Sequence, residues 1–142
     1  MATTTDAINL TSAVTKGYGD TSATAVQAAS DLALKTVQLG QTTFPELAAS
    51  IGKVVPLSAS LGVSQKELFA VFATGTGVTG GAAEVATQYR GILQSLMVPT
   101  DQTAKLQKAL GFSSGEAMLK QLGLEKSIQV LVTAAKATNQ PL

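Results

Sequence analysis

Apolar residues recur at steps of three and four along most of this chain, which is the spacing of one face of an α-helix. The most regular stretch places eight of them on one face: Ala82, Val85, Ala86, Tyr89, Ile92, Leu93, Leu96 and Met97. An earlier stretch repeats the pattern with Val26, Ala29, Leu32, Ala33 and Val37. No segment shows the sustained alternation of a half-buried strand. The pattern therefore predicts an all-α protein, a compact bundle of seven or eight short helices in a single domain over residues 1–142.

A sequence signal that ends one helix and starts the next occurs three times. In each copy a Leu-Gly pair closes one helix, and a hydroxyl residue followed three places later by glutamate opens the next: Leu39-Gly40 with Thr43 and Glu46, Leu61-Gly62 with Ser64 and Glu67, and Leu110-Gly111 with Ser113 and Glu116. Glycine adopts the left-handed conformation after a helix at little cost. The hydroxyl and the glutamate then form a reciprocal capping box with backbone N–H groups. The signal predicts short helices joined by tight turns.

The same rules predict the helix boundaries. We expect helices at 4–16, from residue 22 or 23 to Gly40, from Phe44 to about Ser60, from Gln65 to about Ala73, from Ala82 to Val98, from Thr100 to Leu110, from Ser113 or Ser114 to Leu122, and from Leu124 to about Thr138. Pro56 removes a backbone donor inside the third helix, which predicts a kink or break near residues 52–55. Leu47, Ile51, Val54 and Leu61 are expected to form the buried stripe of that helix.

The glycine-rich stretch TGTGVTGG at residues 74–81 is predicted to be a flexible turn. Gly75 to Gly80 match the letters G-x-G-x-x-G. A dinucleotide fingerprint requires a preceding strand within a βαβ unit, and a helix precedes this stretch instead. We therefore interpret it as a connection between two helices.

The amino-acid composition excludes several kinds of catalytic and metal-binding site. Hydrophobic residues make up 45% of the 142 residues and charged residues 13%, which is typical of a folded protein with a core of small side chains. Histidine and cysteine are both absent, so the commonest nucleophile, base and zinc-ligand arrangements are excluded. The acidic residues are spread out, which favours neither a metal site nor a carboxylate pair. We expect no enzymatic activity and no catalytic, cofactor-binding or metal-binding residues.

Two further chemical interpretations are weaker than structural ones. Ser64 and Lys66 could form a Ser-Lys pair, but capping explains Ser64 better. The 16 uncharged residues between Glu67 and Glu84 are too few and too polar to span a membrane, so no membrane span is expected in this segment.

Residues 61–72, LGVSQKELFAVF, resemble the first half of a helix-turn-helix unit. Such a unit needs a recognition helix after a three- or four-residue turn, with basic or amide residues for DNA. The next predicted helix offers only Arg90 as a cation. The net charge of +1 and the even mixing of basic and acidic residues also disfavour nucleic-acid binding.

Residues 8–131 resemble the core domain of phage tail tape measure proteins from long-tailed phages and prophages. The resemblance rests on the order and spacing of several pieces: Tyr18-Gly19, Leu39-Gly40 with Thr43-Phe44 and Glu46-Leu47-Ala48, Leu61 to Ser64 with Glu67-Leu68, Gly77 to Gly80 leading into Ala83-Glu84-Val85, and the trailing LGFSSGEAMLKQLGLEKSIQVL. The core domain usually has more helical residues before the segment that matches Ile8.

The resemblance implies a virion component, made in the bacterial host cytoplasm and packed inside the tail, that sets tail length and templates tail tube assembly. The implied partners are the tail tube protein, tail assembly chaperones and baseplate hub proteins; homo-oligomer formation is left open. As one helix, 142 residues would extend about 210 Å, but the glycine, proline and capping signals interrupt this chain every ten to twenty residues. We therefore expect a helical module that is a fragment of a longer chain. Its role would be to dock or anchor the part of that chain that measures tail length, which we call the ruler.

Two alternatives remain. One is a free-standing helical protein–protein interaction module with a groove near Phe69 and Phe72, between the fourth and fifth predicted helices and the 74–81 turn. The simpler interpretation of both phenylalanines is that they belong to the core. The other alternative is a helix-turn-helix DNA-binding domain.

Overall fold

The structure is a computed structural model that describes residues 4–138. Within that range the chain forms nine α-helices and no strand, which confirms the all-α prediction. They are α1 Thr4–Gly17, α2 Ala23–Leu39, α3 Phe44–Ile51, α4 Val55–Ser60, α5 Gln65–Thr79, α6 Ala82–Met97, α7 Asp101–Ala109, α8 Gly115–Leu122 and α9 Leu124–Thr138.

The predicted third helix is broken where Pro56 predicts it. α3 ends at Ile51, and α4 begins at Val55 with Pro56 as its second residue. Proline has no N–H to continue the helical ladder and crowds the preceding turn. This full break accounts for the ninth helix within residues 4–138. The predicted buried stripe is confirmed, since its four members are at most 2% exposed: Leu47, Ile51, Val54 and Leu61.

Two of the three predicted capping boxes form, before α3 and before α5. Thr43 and Ser64 each accept a hydrogen bond from the backbone of the glutamate three residues later, and that glutamate accepts one in return. The third box, Ser113 with Glu116, was predicted wrongly. The cap is Ser114, which accepts from the backbone N–H of Ala117 at 3.1 Å.

The third box fails because α8 starts one residue later than that pattern requires. With Ser114 as the cap, Glu116 is the second helical residue and cannot reach back in the usual way. It forms an ion pair with Lys120, one turn further along, at 2.8 Å.

The Leu-Gly signals are confirmed at two of three positions. Gly62 and Gly111 are left-handed, with φ of +76° and +90°. Gly40 has φ of −92°, so the left-handed prediction is wrong there. Its lack of a side chain instead accommodates α5, because an added Cβ would lie 2.5 Å from the Thr76 hydroxyl oxygen.

The flexible turn predicted at 74–81 is also wrong, since α5 continues to Thr79 and only Gly80 and Gly81 connect it to α6. Glycine is an unfavourable helix residue by about 1 kcal/mol. Tertiary packing offsets this cost, because Gly75 lies against Val85 and Thr76 is fully buried. The left-handed residue that ends the helix is Gly80, with φ of +83°.

Contacts divide the chain into two compact units, and the single-domain interpretation stays a prediction. The first unit contains residues up to Ser60 together with Ser64–Arg90. In it α1 packs on α2, α3 and α4, and α2 packs on α3 and α5. Its core consists of small and medium side chains with three aromatic rings: Leu10, Val14, Ala29, Ala33, Leu47, Ile51, Val54, Val55, Leu68, Phe69, Phe72, Ala82, Val85, Ala86 and Tyr89.

The second unit contains Leu61–Val63 and residues from Gly91 onward, with α9 packed on α7 and α8. The buried Ser127 hydroxyl donates to the carbonyl of Met118, joining α9 to α8. Gly115 packs directly on the carbonyl of Leu96, so α8 meets the end of α6 without an intervening side chain. The core of this unit contains Leu61, Val63, Leu93, Leu96, Leu106, Met118, Leu119, Leu124, Leu131 and Ala135.

Candidate interaction surface

α2 and α5 are held together by direct hydrogen bonds in the first unit. The Thr36 hydroxyl donates to the carbonyl of Phe69 at 3.4 Å, and the Thr76 hydroxyl accepts from the backbone N–H of Gln41 at 3.0 Å. Because residue numbers rise together along both helices, α2 and α5 run in the same direction. Buried hydroxyls that are hydrogen-bonded in this way fix the register of the two helices.

A groove of about 170 Å³ runs along one side of this helix pair. We call it the α2/α5 groove; its walls are Leu32, Lys35, Thr36 and Leu39 on α2 and Lys66, Phe69, Ala70 and Ala73 on α5. Each helix contributes residues at positions i, i+3, i+4 and i+7, which form one continuous helix face. Two such parallel faces make an elongated site suited to a third helix.

The groove is open at its rim and closed at its floor. Leu39 is 71% exposed, whereas Phe69 is 2% exposed and Thr36 is 3% exposed. A single exposed leucine is common on protein surfaces, but an exposed leucine that continues an apolar groove indicates an interaction site. The α2/α5 groove therefore combines a firm floor with apolar surface that water still reaches.

Charge is distributed unevenly along the groove. Lys35 and Lys66 are exposed, and the lining includes no carboxylate. Thr36 lies opposite Phe69, so both lysines precede this level, whereas Leu39 and Ala73 follow it. Within residues 4–138, neither lysine forms an ion pair. Leu32 also precedes the level of Thr36 and Phe69, so the two lysines share their part of the groove with an apolar side chain, whereas Leu39 and Ala73 form an uncharged end.

The α2/α5 groove overlaps only partly with the interaction surface expected from the sequence, which involved α5, α6 and the turn at 74–81. Phe72 is fully buried and does not line the groove, while Phe69 forms part of the floor. The contribution of α2 is not evident from the sequence, because Leu39 also fits the Leu-Gly signal that ends a helix. Its position outside the apolar stripe of α2 was the available clue.

Three hydroxyl groups in the first unit form a polar cluster that holds its helices together. The buried Ser58 hydroxyl lies 2.7 Å from the Tyr89 hydroxyl and donates to the carbonyl of Val54 at 2.8 Å. It also interacts with the Tyr18 hydroxyl. Burial raises the pKa of Tyr89 to about 12 and raises the pKa of Tyr18 as well. Both phenols stay protonated near neutral pH and link α1, α4 and α6.

The motifs that suggested chemistry occupy structural positions. Gly75 and Gly77 of the G-x-G-x-x-G match lie inside α5, so their backbone N–H groups do not form a phosphate-binding loop. The Ser64 hydroxyl accepts from the N–H of Glu67 at 3.2 Å, as a helix cap does. In the part of the chain that the structure describes, no group of three or more carboxylate, histidine or cysteine side chains could hold a metal ion.

The helix-turn-helix resemblance places a turn directly after Phe72, but α5 continues to Thr79. The helix that follows Gly80 and Gly81 is α6, which offers only Arg90 as a cation. For residues 4–138, no single helix is long and apolar enough to cross a membrane. α5 and α6 reach the length and apolar composition of a membrane span only when they are taken together, and the chain bends by 119° between them.

Comparison with known families gives one match that extends over almost the whole chain. A family model described as phage-related minor tail protein matches residues 1–141. Comparisons with curated proteins and with solved structures give no match. The match includes both compact units, and therefore the α2/α5 groove.

Proposed function

The chain belongs to the phage-related minor tail protein family, and we propose that it is the core module of a tape measure protein. Membership of the family makes it a structural component of the virion tail. In the proposed role, the protein sets tail length and templates tail tube assembly. The role is structural and not enzymatic.

The observation that carries this proposal is the extent of the family match, which includes 141 consecutive residues. Within it lie the ordered pieces that resemble tape measure cores. Two of those pieces coincide with capping boxes, at Thr43 with Glu46 and at Ser64 with Glu67. The resemblance therefore coincides with residues that define where helices begin.

The helices of this chain are too short to be a ruler themselves. The longest helix in residues 4–138 is α2 with 17 residues, which corresponds to roughly 26 Å at 1.5 Å per residue. We assign the measuring role to further helical sequence in the same polypeptide, and the docking or anchoring role to this module. Synthesis in the host cytoplasm precedes incorporation into the tail.

Other tail components are the partners that family membership supports. Among them we propose the tail tube protein, tail assembly chaperones and baseplate hub proteins. The α2/α5 groove is the surface that we assign to such a contact, because it presents accessible apolar side chains beside two lysines that form no ion pair within residues 4–138.

Tail length in assembled particles tests the ruler role. In a phage that encodes this chain, we would insert about 60 helical residues into the same reading frame, outside residues 1–142. Tails in electron micrographs should lengthen by roughly 90 Å, and a deletion of equal length should shorten them equally. A matched insertion in another minor tail gene should leave the length unchanged. Unaltered tail length with the first insertion would contradict the proposal.

A free-standing helical interaction module is the second candidate, and the α2/α5 groove favours it. Sequencing the gene around these 142 codons separates the two candidates. A reading frame that continues through several hundred codons of helical sequence supports the tape measure role. A stop codon directly after Leu142, with a natural start at Met1, supports the interaction module.

A further inference from the structure

We propose that the α2/α5 groove binds an amphipathic helix from another protein, with apolar residues at i, i+3 or i+4 and acidic residues at one end. This inference rests on the proposed function, in which the α2/α5 groove is a docking surface for another tail component. The binding test uses the purified chain alone, so its failure is distinguishable from failure of the tail-length experiment.

The shape of the groove favours a helix as its occupant. Each wall spans positions i to i+7, about 10 Å or two helical turns. Ala70 and Ala73 keep the α5 wall low, which leaves space for large apolar side chains of a partner. Leu39 on the facing wall offers apolar surface that a partner would remove from water. Burying such a side chain contributes to binding through the hydrophobic effect.

The charge of the groove favours an acidic partner. Lys66 is the first residue of the α5 wall and Lys35 lies near the middle of the α2 wall, both on the side of the groove away from Leu39 and Ala73, and the eight lining residues include no carboxylate. Opposite charges across an interface orient the partner and accelerate association. Acidic residues of the partner should therefore lie beside these lysines, and its apolar residues should lie beside Leu39 and Ala73.

The floor of the groove is formed before any partner arrives. Thr36 is bonded to the carbonyl of Phe69, and Gly40 lies in close contact with Thr76. A preformed site loses less conformational freedom on binding than a site that must order itself. A short helix can consequently bind without rearrangement of α2 and α5.

Selection of helical peptides against the purified chain tests this proposal. The probe is a display library of peptides of about 14 residues, helical in design and randomised on one face. Selected peptides should share apolar residues at i, i+3 or i+4 and acidic residues at one end. Leu39→Ser should weaken their binding about tenfold or more, whereas Leu34→Ser, on the opposite side of α2 and 49% exposed, should not.

Charge reversal tests the orientation. The double variant Lys35→Glu with Lys66→Glu should weaken the acidic peptides about tenfold at low salt, with a smaller loss at high salt. Lys53→Glu with Lys126→Glu changes the net charge equally at exposed sites outside the groove and should leave binding intact. Circular dichroism of each variant should confirm that it is folded.

Three results would overturn the proposal. The first is a selection without enrichment. The second is enrichment of peptides that bind the Leu39→Ser variant as tightly as the original chain. The third is self-association of the chain in analytical ultracentrifugation that Leu39→Ser abolishes, which would assign the groove to a second copy.

Discussion

The Thr76 hydroxyl occupies the space that a side chain at position 40 would need. A Cβ on Gly40 would lie 2.5 Å from that oxygen and 3.1 Å from the carbonyl oxygen of Ala73. The hydroxyl accepts from the N–H of Gln41 at 3.0 Å and donates to the carbonyl of Phe72 at 2.7 Å. One side chain thus connects the end of α2 to α5, next to the residues that line the α2/α5 groove.

Gly40→Ala should destabilise the protein. Its φ of −92° is accessible to alanine, so the cost arises from overpacking against Thr76. We expect the free energy of unfolding to fall by about 1–3 kcal/mol, measured by urea unfolding followed by circular dichroism.

Gly77→Ala is the matched control in α5. No atom outside its own helix surroundings lies within 4 Å of an added Cβ. Alanine there should raise the free energy of unfolding by roughly 0.5–1 kcal/mol. Equal effects of the two substitutions would refute the role assigned to Gly40.

Replacement of adjacent serines tests where α8 is capped. Ser114→Ala removes the acceptor for the N–H of Ala117 and should lower the free energy of unfolding by about 1 kcal/mol. Ser113→Ala should change it by less than about 0.5 kcal/mol, because Ser113 is exposed and is not the cap. Thermal or urea unfolding of both variants measures these changes. A larger loss of stability for Ser113→Ala than for Ser114→Ala would support the capping box of Ser113 and Glu116 that the sequence predicts.

A charge at Leu93 should unfold the unit that contains it. Leu93 is fully buried, and a buried unpaired carboxylate carries a penalty of several kcal/mol. Leu93→Asp should lose most helical circular dichroism from that unit. Ile92→Asp places the same charge one residue earlier, at a side chain that is 43% exposed, and should remain folded. A stable, fully helical Leu93→Asp protein would show that this residue is not in the core.

High pH should destabilise the first unit through the phenols of Tyr89, which is buried, and Tyr18, which is half-buried. The pKa of Tyr89 rises from 10.0 to about 12 on folding, chiefly because burial disfavours the charged form. Since the folded state holds the proton more tightly, this contribution to stability is fully present below pH 10 and is lost as the pH rises towards 12.

Tyrosinate absorbance measures this titration directly, because Tyr18 and Tyr89 are the only tyrosines of the chain. The folded protein should ionise well above pH 10, and the urea-unfolded protein near pH 10. Tyr89→Phe should leave a single phenol, Tyr18, whose pKa is also raised. Native ionisation near the ordinary value would contradict the burial of this cluster.

The sequence by itself determined where most helices begin and end. The signals involved are local: Pro56 lacks a donor, Thr43 and Ser64 cap the residues that follow them, and Gly62 and Gly111 adopt left-handed conformations. Each depends on atoms within about four residues, so no knowledge of the remaining fold is required.

The tertiary structure alone decided the features that depend on neighbours distant in sequence. α5 continues through Gly75 and Gly77 because Thr76 is buried against α2 and Gly75 against Val85. Gly40 was identifiable as a helix end, but its contact with Thr76 spans 36 positions of sequence. The α2/α5 groove belongs to the same class, since it exists only where the faces of two separate helices lie side by side. Local propensity sets the ends of helices, whereas packing decides which of their faces become a surface.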